Sequence, residues 1–189
     1  MKITIYCGSS SRLAPEYTAA AAEVGRLIAR RGATLVYGAG RTGMMGAAAD
    51  AALAEGGAVT GVIPSFMVER GWNHTGLTEM IVTEGMHLRK ETMMRLADGG
   101  VIALPGGIGT FEEITEAITW RQLGLYAGNV VLFNFRGYYD SFLAQIDRAI
   151  ADGFMMPDYR DLFSVAPTAD EAVELAARPC GPRSFSSKF

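Results

Sequence analysis

The sequence predicts a single α/β domain built on a parallel sheet, and three observations support this fold class. Short apolar runs alternate with amphipathic helical stretches along nearly the whole chain. Several of these runs break into glycine-rich turns that open a helix, as happens in βαβ units. The chain has 189 residues, 49% of them hydrophobic and 20% charged, which is enough for one soluble domain with a substantial core.

The strands and helices are predicted from these periodicities. We expect strands over residues 2–7, 34–37, 58–63, 80–83, 101–104, 130–133 and 163–166. We expect helices from Pro15 to just before Gly32, over 44–55 and 86–97, after the turn that follows residue 104, and over 138–151 and 169–177. No linker or internal repeat interrupts the pattern. The sequence therefore predicts one domain over residues 1–178, followed by a disordered tail over 179–189.

The composition excludes several classes of function. The net charge is −3, and the basic residues are scattered, so we expect no nucleic-acid partner. Cys7 and Cys180 lie far apart, and His74 and His87 lack the spacing of metal ligands, so we predict neither a disulfide framework nor a metal site. No apolar run approaches about 18 residues, and no signal-like apolar region follows Met1. We expect a cytoplasmic protein without a membrane partner.

The most informative stretch is residues 104–113, LPGGIGTFEE. A buried strand here breaks into three glycines and opens a helix. Glycine allows the backbone to turn sharply and to approach a ligand closely, and the free N–H groups at a helix start attract anions. The spacing Gly-Gly-x-Gly is neither the dinucleotide fingerprint nor a Walker A loop. The stretch therefore predicts a phosphate-binding turn of another kind.

The other loops that follow predicted strands should lie near this turn. Parallel sheets bind ligands at the carboxyl ends of their strands, near the point where the strand order reverses. Residues 8–10 follow the first strand, 38–40 the second, 86–90 the fourth and 105–110 the fifth. We expect these loops to share one edge of the sheet.

Five motifs in order give the chain a family resemblance. They are PGGIGTFEE at 105–113, MHLRK at 86–90, TWRQLG at 119–124, GMMG at 43–46 and GYY at 137–139. With them the chain resembles the LONELY GUY family, the cytokinin riboside 5′-monophosphate phosphoribohydrolases long labelled "possible lysine decarboxylases". The resemblance covers nearly all of residues 2–178.

The resemblance implies a Rossmann-like, doubly wound fold, a homodimer and a specific reaction. That reaction is hydrolysis of the N-glycosidic bond of a purine nucleoside 5′-monophosphate, of the cytokinin type or AMP, to free base and ribose 5-phosphate. Arg89 and Glu113 match the family's catalytic pair. The phosphate loop corresponds to Gly106, Gly107, Gly109 and Thr110, and the substrate-binding positions to Lys90, Ile108, Glu112, Thr119 and Ser9. The chain departs from the family at Ala39, where many members have glycine, and at Gly71, where many have glutamate.

Each of these residues also has an interpretation without catalysis. Thr110-x-x-Glu113 has the spacing of a capping box, in which Thr110 caps the helix and Glu113 reaches back to the cap amide. Arg89 is also compatible with a solvated helix face, where most charged residues lie, and Ser9 with an ordinary turn. In the catalytic interpretation, by analogy with glycosidases, Glu113 stabilises an oxocarbenium-like ribose and activates a water.

Two other functions compete with the hydrolase. A carrier protein of the same fold would bind a nucleotide or cofactor without cleaving it, and it has no evident need for Arg89 and Glu113 together. A pyridoxal-phosphate decarboxylase needs an internal Schiff-base lysine, and Lys90 is the only plausible one in the chain. Nothing around Lys90 supplies the rest of such a site. We therefore expect no cofactor.

Overall fold

The computed structural model describes residues 1–181, and its seven strands form one parallel sheet. The strands are β1 (Lys2–Tyr6), β2 (Thr34–Tyr37), β3 (Val59–Pro64), β4 (Glu79–Thr83), β5 (Val101–Ala103), β6 (Val130–Phe133) and β7 (Ser164–Ala166). Their order across the sheet is β4-β3-β2-β1-β5-β6-β7. This doubly wound order confirms the predicted Rossmann-like α/β fold.

The predicted helices are all present, with small shifts at their ends. They are α1 (Pro15–Arg30), α2 (Gly43–Ala54), α4 (Met86–Leu96), α5 (Ile108–Gln122), α6 (Asp140–Ala151) and α7 (Ala169–Ala177). The sequence did not predict α3 (Ser65–Glu69) or the 3₁₀ turns Phe135–Gly137 and Pro157–Leu162. These segments are too short to show a helical period.

The core lies on both faces of the sheet, as alternation along β1 shows. Ile3 and Ile5 belong to the hydrophobic cluster that contains residues of α1, α2 and α7. Tyr6 belongs to the second cluster, with residues of α4 and α5. On this second side, the hydroxyl of the buried Thr4 donates to the carbonyl of Met93 in α4 over 3.0 Å. Because helices cover both faces of the sheet, a ligand can reach the sheet at the ends of its strands.

The strand order reverses beside β1. The chain first adds β2, β3 and β4 on one side of β1, and it then returns to place β5 on the other side. β1 and β5 pair in parallel, with Thr4 opposite Val101 and Tyr6 opposite Ala103. Their carboxyl ends therefore open side by side, which is where doubly wound folds form a ligand crevice.

The predicted tail and the expected absence of a membrane span can be compared with the described residues. Most of the predicted disordered tail, residues 182–189, lies outside the described residues. Between Met1 and Gly181, no helix combines the length and the apolarity that a membrane crossing needs.

Candidate functional site

A cavity of about 580 Å³ opens at the carboxyl ends of β1, β2, β3 and β5. The predicted loops meet there and form most of its wall. The lining residues are Cys7, Gly8, Ser9, Gly38, Gly40, Arg41, Thr42, Met45, Ile63, Met67, Trp72, Met86, Arg89, Gly107, Gly109, Thr110 and Glu113. The structure thus brings the candidate catalytic pair and three residues of the predicted phosphate loop to one cavity, at the point of strand reversal.

The turn after β5 leaves backbone donors free at the start of α5. Gly107 is the N-cap, and the amide of Phe111 makes the first helical bond, 3.1 Å to the carbonyl of Gly107. The amides of Ile108, Gly109 and Thr110 donate no hydrogen bond to any residue from 1 to 181. Such amides, together with the positive end of the helix dipole, are what an anion site requires.

Gly106 allows this turn to pack against the loop after β1. The amide of Gly8 donates to the carbonyl of Pro105 over 3.0 Å. A Cβ at residue 106 would lie 2.1 Å from Oγ1 of the buried Thr110 and 3.0 Å from the Gly8 amide nitrogen. Only glycine fits this close approach without displacing one of the two loops.

The capping-box interpretation of Thr110 and Glu113 is wrong. Helix α5 begins at Ile108, so both residues lie inside it, and no side chain caps the helix. The extended backbone already ends at Gly107, with φ −88° and ψ −159°. Because the glycines let the helix start early, Glu113 is free to act elsewhere.

Glu113 instead pairs with Arg89. Nη1 of Arg89 donates to Oε1 of Glu113 over 2.8 Å, and Nε of Arg89 donates to the carbonyl of Val62 within β3 over 3.1 Å. Arg89 is 4% exposed and Glu113 6% exposed. The solvated interpretation of Arg89 is therefore wrong, because Arg89 is a buried cation held by a backbone carbonyl of β3 and by a carboxylate.

Gly38, directly after β2, makes room for the guanidinium. A Cβ at this position would lie 2.0 Å from Nη2 of Arg89. The next contacts of that Cβ would be with Cζ of Arg89 at 3.2 Å and Cε of Met45 at 3.3 Å. The missing side chain of Gly38 thus leaves the space that the guanidinium of Arg89 occupies. The spacing of residues in the sequence does not reveal this contact.

Burial and charge act in opposite directions on the Glu113 carboxyl. Burial raises its pKa, because the charged form loses water, and the neighbouring Arg89 guanidinium lowers it; the pKa remains above its ordinary value. A carboxylate with a pKa closer to neutrality is a better proton acceptor than an ordinary glutamate, and this suits a general base.

Cys7 also lines the cavity, and sequence reasoning did not single it out as a site residue. It directly follows β1, where the rule for parallel sheets places site residues. Burial raises the pKa of the Cys7 thiol far above its usual range, so the thiol stays neutral. A neutral thiol is a poor nucleophile and a poor metal ligand.

Of the predicted substrate-binding residues, the cavity wall includes Ser9. Its carbonyl accepts a hydrogen bond from the hydroxyl of Thr42 over 2.7 Å, which ties the loop after β1 to the start of α2. The other four residues lie elsewhere on α4 and α5. They are Lys90, Ile108, Glu112 and Thr119. Lys90 forms ion pairs with Glu112 and, at 3.3 Å, with Glu116, the hydroxyl of Thr119 donates to the carbonyl of Thr115, and Ile108 is 83% exposed. The geometry of one chain does not bring these four into the cavity.

A short segment after α3 closes one side of the cavity. Gly40 forms a bridge with Asn73, and the amide of His74 donates to the carbonyl of Ala39 over 2.8 Å. Ala39 has φ 58°, in the left-handed region that favours glycine, which explains why glycine suits this position in the resembled family. The segment places Trp72 on the wall, where Arg70 lies 5.1 Å from its ring centre. Sequence reasoning missed Trp72 because nothing marked the segment as part of the site.

The histidines have protein partners or solvent around them. Nε2 of His74 lies 2.9 Å from Oδ1 of Asp50, and His87 is exposed on α4. Residues 1–181 contain no group of three or more His, Cys, Asp or Glu side chains placed to hold a metal ion.

Comparison with known proteins places this chain in one family. The family model described as "Possible lysine decarboxylase" matches residues 45–176. The cytokinin riboside 5′-monophosphate phosphoribohydrolase LOG of Oryza sativa subsp. japonica is 44% identical over 172 residues, covering 91% of this chain and 71% of the rice protein. The protein of the same enzyme name from Rhodococcoides fascians is 42% identical over 178 residues, covering 94% of this chain and 89% of its own.

Similar solved structures agree on the fold. The molybdenum cofactor binding protein of Rippkaea orientalis superposes with a TM-score of 0.69, covering 92% of this chain and 93% of that one. The two sequences are 24% identical, so this likeness concerns the fold alone.

Proposed function

The chain belongs to the family that unites the "Possible lysine decarboxylase" model with the phosphoribohydrolases of rice and Rhodococcoides, and from that premise we propose its reaction. The protein hydrolyses the N-glycosidic bond of purine nucleoside 5′-monophosphates, with cytokinin-type nucleotides or AMP as substrates. Water adds to the anomeric carbon of the ribose, and the base leaves with a proton. The products are the free base and ribose 5-phosphate.

One observation carries this proposal: free helix-start amides and a buried carboxylate open onto the same cavity. Gly109 and Glu113 are four residues apart on α5, so they lie on one face of the helix, separated by about one turn of 5–6 Å. A ribose 5-phosphate can therefore place its phosphate at the amides while its anomeric carbon lies toward Glu113.

Glu113 has the contacts that a base or an electrostatic stabiliser needs. Its Oε1 accepts from Arg89, while Oε2 accepts no hydrogen bond from any described residue. Oε2 is thus free to accept a proton from water, and the carboxylate charge stabilises an oxocarbenium-like ribose. Arg89 lowers the pKa that burial raises, which favours the carboxylate form of Glu113, and its hydrogen bond fixes the orientation of the carboxyl.

The carrier alternative has less support. The relatives from rice and Rhodococcoides are named as hydrolases, whereas the molybdenum cofactor binding protein of Rippkaea is similar in fold only. A buried carboxylate beside an anion site also works against a carrier, because it repels the phosphate without contributing to binding. In a hydrolase the same charge is needed at the ribose.

The geometry also disfavours a pyridoxal-dependent decarboxylase. Burial lowers the pKa of Lys90, but its hydrogen bond to Glu112 and the charge of Glu116 more than offset this effect, and the pKa is raised. A lysine that forms a Schiff base must lose its proton easily, so Lys90 has the wrong environment. It also lies outside the cavity wall.

We propose a homodimer as the working assembly. Four apolar side chains on the neighbouring elements β4 and α4 are each more than a third exposed: Met80, Val82, Met86 and Leu88. β4 is also an unpaired sheet edge, which favours burial against a partner. Met86 lines the cavity as well, so a second subunit on this face would lie beside the site. The cytoplasmic location, and substrate contacts by Lys90, Ile108, Glu112 and Thr119, stay predictions.

The proposed reaction has a direct test. The purified protein is incubated with AMP and with isopentenyladenosine 5′-monophosphate, and free base and ribose 5-phosphate are separated by chromatography. We expect base release from the monophosphates and far slower release from the matching nucleosides, which lack the group that α5 binds. Binding of both nucleotides without any cleavage would establish the carrier instead.

A further inference from the structure

The GYY motif at residues 137–139 does not line the cavity, although it is one of the five motifs of the family resemblance. It lies after β6, one strand beyond the phosphate turn. We infer that Tyr138 and Tyr139 are positioning residues for phosphate binding: their hydroxyls hold the carbonyls of the turn away from the anion. This inference rests on the proposed function for the identity of the phosphate ligand.

Every carbonyl of the turn, from residue 104 to 107, accepts a hydrogen bond. The Tyr139 hydroxyl donates to the carbonyl of Leu104 over 2.7 Å, and the Tyr138 hydroxyl donates to that of Gly106. The remaining two carbonyls accept from backbone amides: Pro105 from Gly8 at 3.0 Å, and Gly107 from Phe111 at 3.1 Å. No carbonyl of the turn is left to point at a bound anion.

The orientation of these carbonyls sets the orientation of the amides. In a trans peptide the C=O of one residue and the N–H of the next point in opposite directions. Because Tyr138 holds the carbonyl of Gly106 on its side, the N–H of Gly107 is turned away from Tyr138, and Gly107 itself lines the cavity. The tyrosine therefore decides which pole of this peptide an anion meets.

This peptide is the one most able to rotate. Both Gly106 and Gly107 lack a Cβ, so they tolerate the backbone angles that a peptide flip requires. A flip would present a carbonyl oxygen to the phosphate and remove an N–H donor. The hydroxyl of Tyr138 is the side-chain contact that opposes it, since Pro105 and Gly107 are held by the backbone.

The two tyrosines are themselves held in place. The ring of Tyr138 stacks on Phe111 of α5, with 6.4 Å between centroids and an angle of 8° between planes. Tyr139 is fully buried, and its amide donates to Oδ1 of Asn134 over 2.7 Å. Because ring packing and backbone contacts fix the tyrosines, the hydroxyls can be removed without moving the rings.

The test compares Tyr138→Phe with Tyr17→Phe. Tyr17 belongs to the same aromatic group, with its ring 6.4 Å from that of Tyr138, but its hydroxyl donates to no carbonyl of the turn. Binding of ribose 5-phosphate is measured by titration calorimetry, and KM and kcat are measured for the monophosphate. Tyr138→Phe, which leaves its ring on Phe111, should weaken ribose 5-phosphate binding about tenfold, the effect of one lost hydrogen bond. KM should rise with little change in kcat, since the phosphate contact is made in ground and transition states alike.

The binding results for the two variants decide whether Tyr138 positions the turn. Weakened binding in Tyr138→Phe with unchanged binding in Tyr17→Phe supports the positioning role. Unchanged binding in Tyr138→Phe, equal weakening in both variants, or no binding by the wild-type protein would each overturn it. The binding experiment involves no cleavage. A wild-type protein that binds ribose 5-phosphate but releases no base would therefore contradict the proposed function while the inference is still judged by the variants.

Discussion

Nη1 of Arg89 lies 2.8 Å from Oε1 of Glu113, and both side chains are almost completely buried. The two residues belong to different helices, α4 and α5, which follow β4 and β5 on opposite sides of the strand reversal. Breaking one partner of such a pair leaves an uncompensated charge in a site with little water. The pair is therefore the part of the site that substitutions test most sharply.

Adding a methyl group at Gly38 should displace the Arg89 side chain while leaving its chemical identity unchanged. The new Cβ would lie 2.0 Å from Nη2, so the guanidinium would have to shift from its place beside Glu113. We expect Gly38→Ala to lower kcat/KM about 10²-fold, the effect of a misplaced catalytic group, and to lower the melting temperature because a buried ion pair is disturbed. Steady-state kinetics and thermal unfolding measure both quantities.

Gly85→Ala is the matched control for this substitution. Gly85 precedes α4, and a Cβ there would meet no atom within 4 Å. The control should retain wild-type kcat/KM. Unchanged activity in Gly38→Ala would show that the position of the guanidinium is irrelevant to turnover.

The pH dependence of activity should reflect the environment of Glu113. Its pKa is raised by burial, and its carboxylate form is the active one, so activity is lost as the pH falls through this pKa. The acid limb of kcat/KM should lie above about 4.3, the ordinary value for glutamate. Arg89 lowers this pKa, so Arg89→Gln should move the limb of the residual activity to higher pH. A limb that stays in place would mean that another group titrates.

Gly106 and Gly109 should differ in their tolerance of alanine. A Cβ at residue 106 would lie 2.1 Å from Oγ1 of Thr110, whereas at residue 109 it would meet nothing within 4 Å. We expect Gly106→Ala to lower the free energy of unfolding by about 1–3 kcal/mol, as overpacking does. Gly109→Ala, inside α5, should leave it unchanged or slightly raised. Urea unfolding of both variants decides the matter, and equal stability would contradict the close packing of the two loops.

The proposed dimer should depend on the exposed edge strand. Val82 is half exposed on β4, so a lysine there costs little in the monomer but places a charge in an apolar interface. We expect Val82→Lys to shift the protein from dimer to monomer in light scattering coupled to gel filtration. Arg148→Lys, on the surface of α6, keeps the charge and serves as the control. A dimer that persists in Val82→Lys would exclude this face as the contact.

The sequence predicted the sheet, its helices and the shared edge of the loops because these features follow from local periodicity and one topological rule. Residues 34–37 and 130–133 are strands with the predicted bounds. The capping box failed because S/T-x-x-E spacing does not reveal where a glycine-rich turn lets a helix begin, here at Ile108. The fit of Arg89 against Gly38 could not be predicted, since it joins residues far apart in the chain through their packing.

The role of the buried pair is tested most directly by the turnover of isopentenyladenosine 5′-monophosphate by Glu113→Gln, with ribose 5-phosphate binding measured on the same sample. Glutamine keeps the shape of the side chain but cannot accept a proton or stabilise positive charge. We predict a loss of kcat of at least about 10²-fold, with product binding retained at the amides of α5. Turnover at the wild-type rate would contradict the assignment of Glu113 and would show that the buried pair does not perform the cleavage.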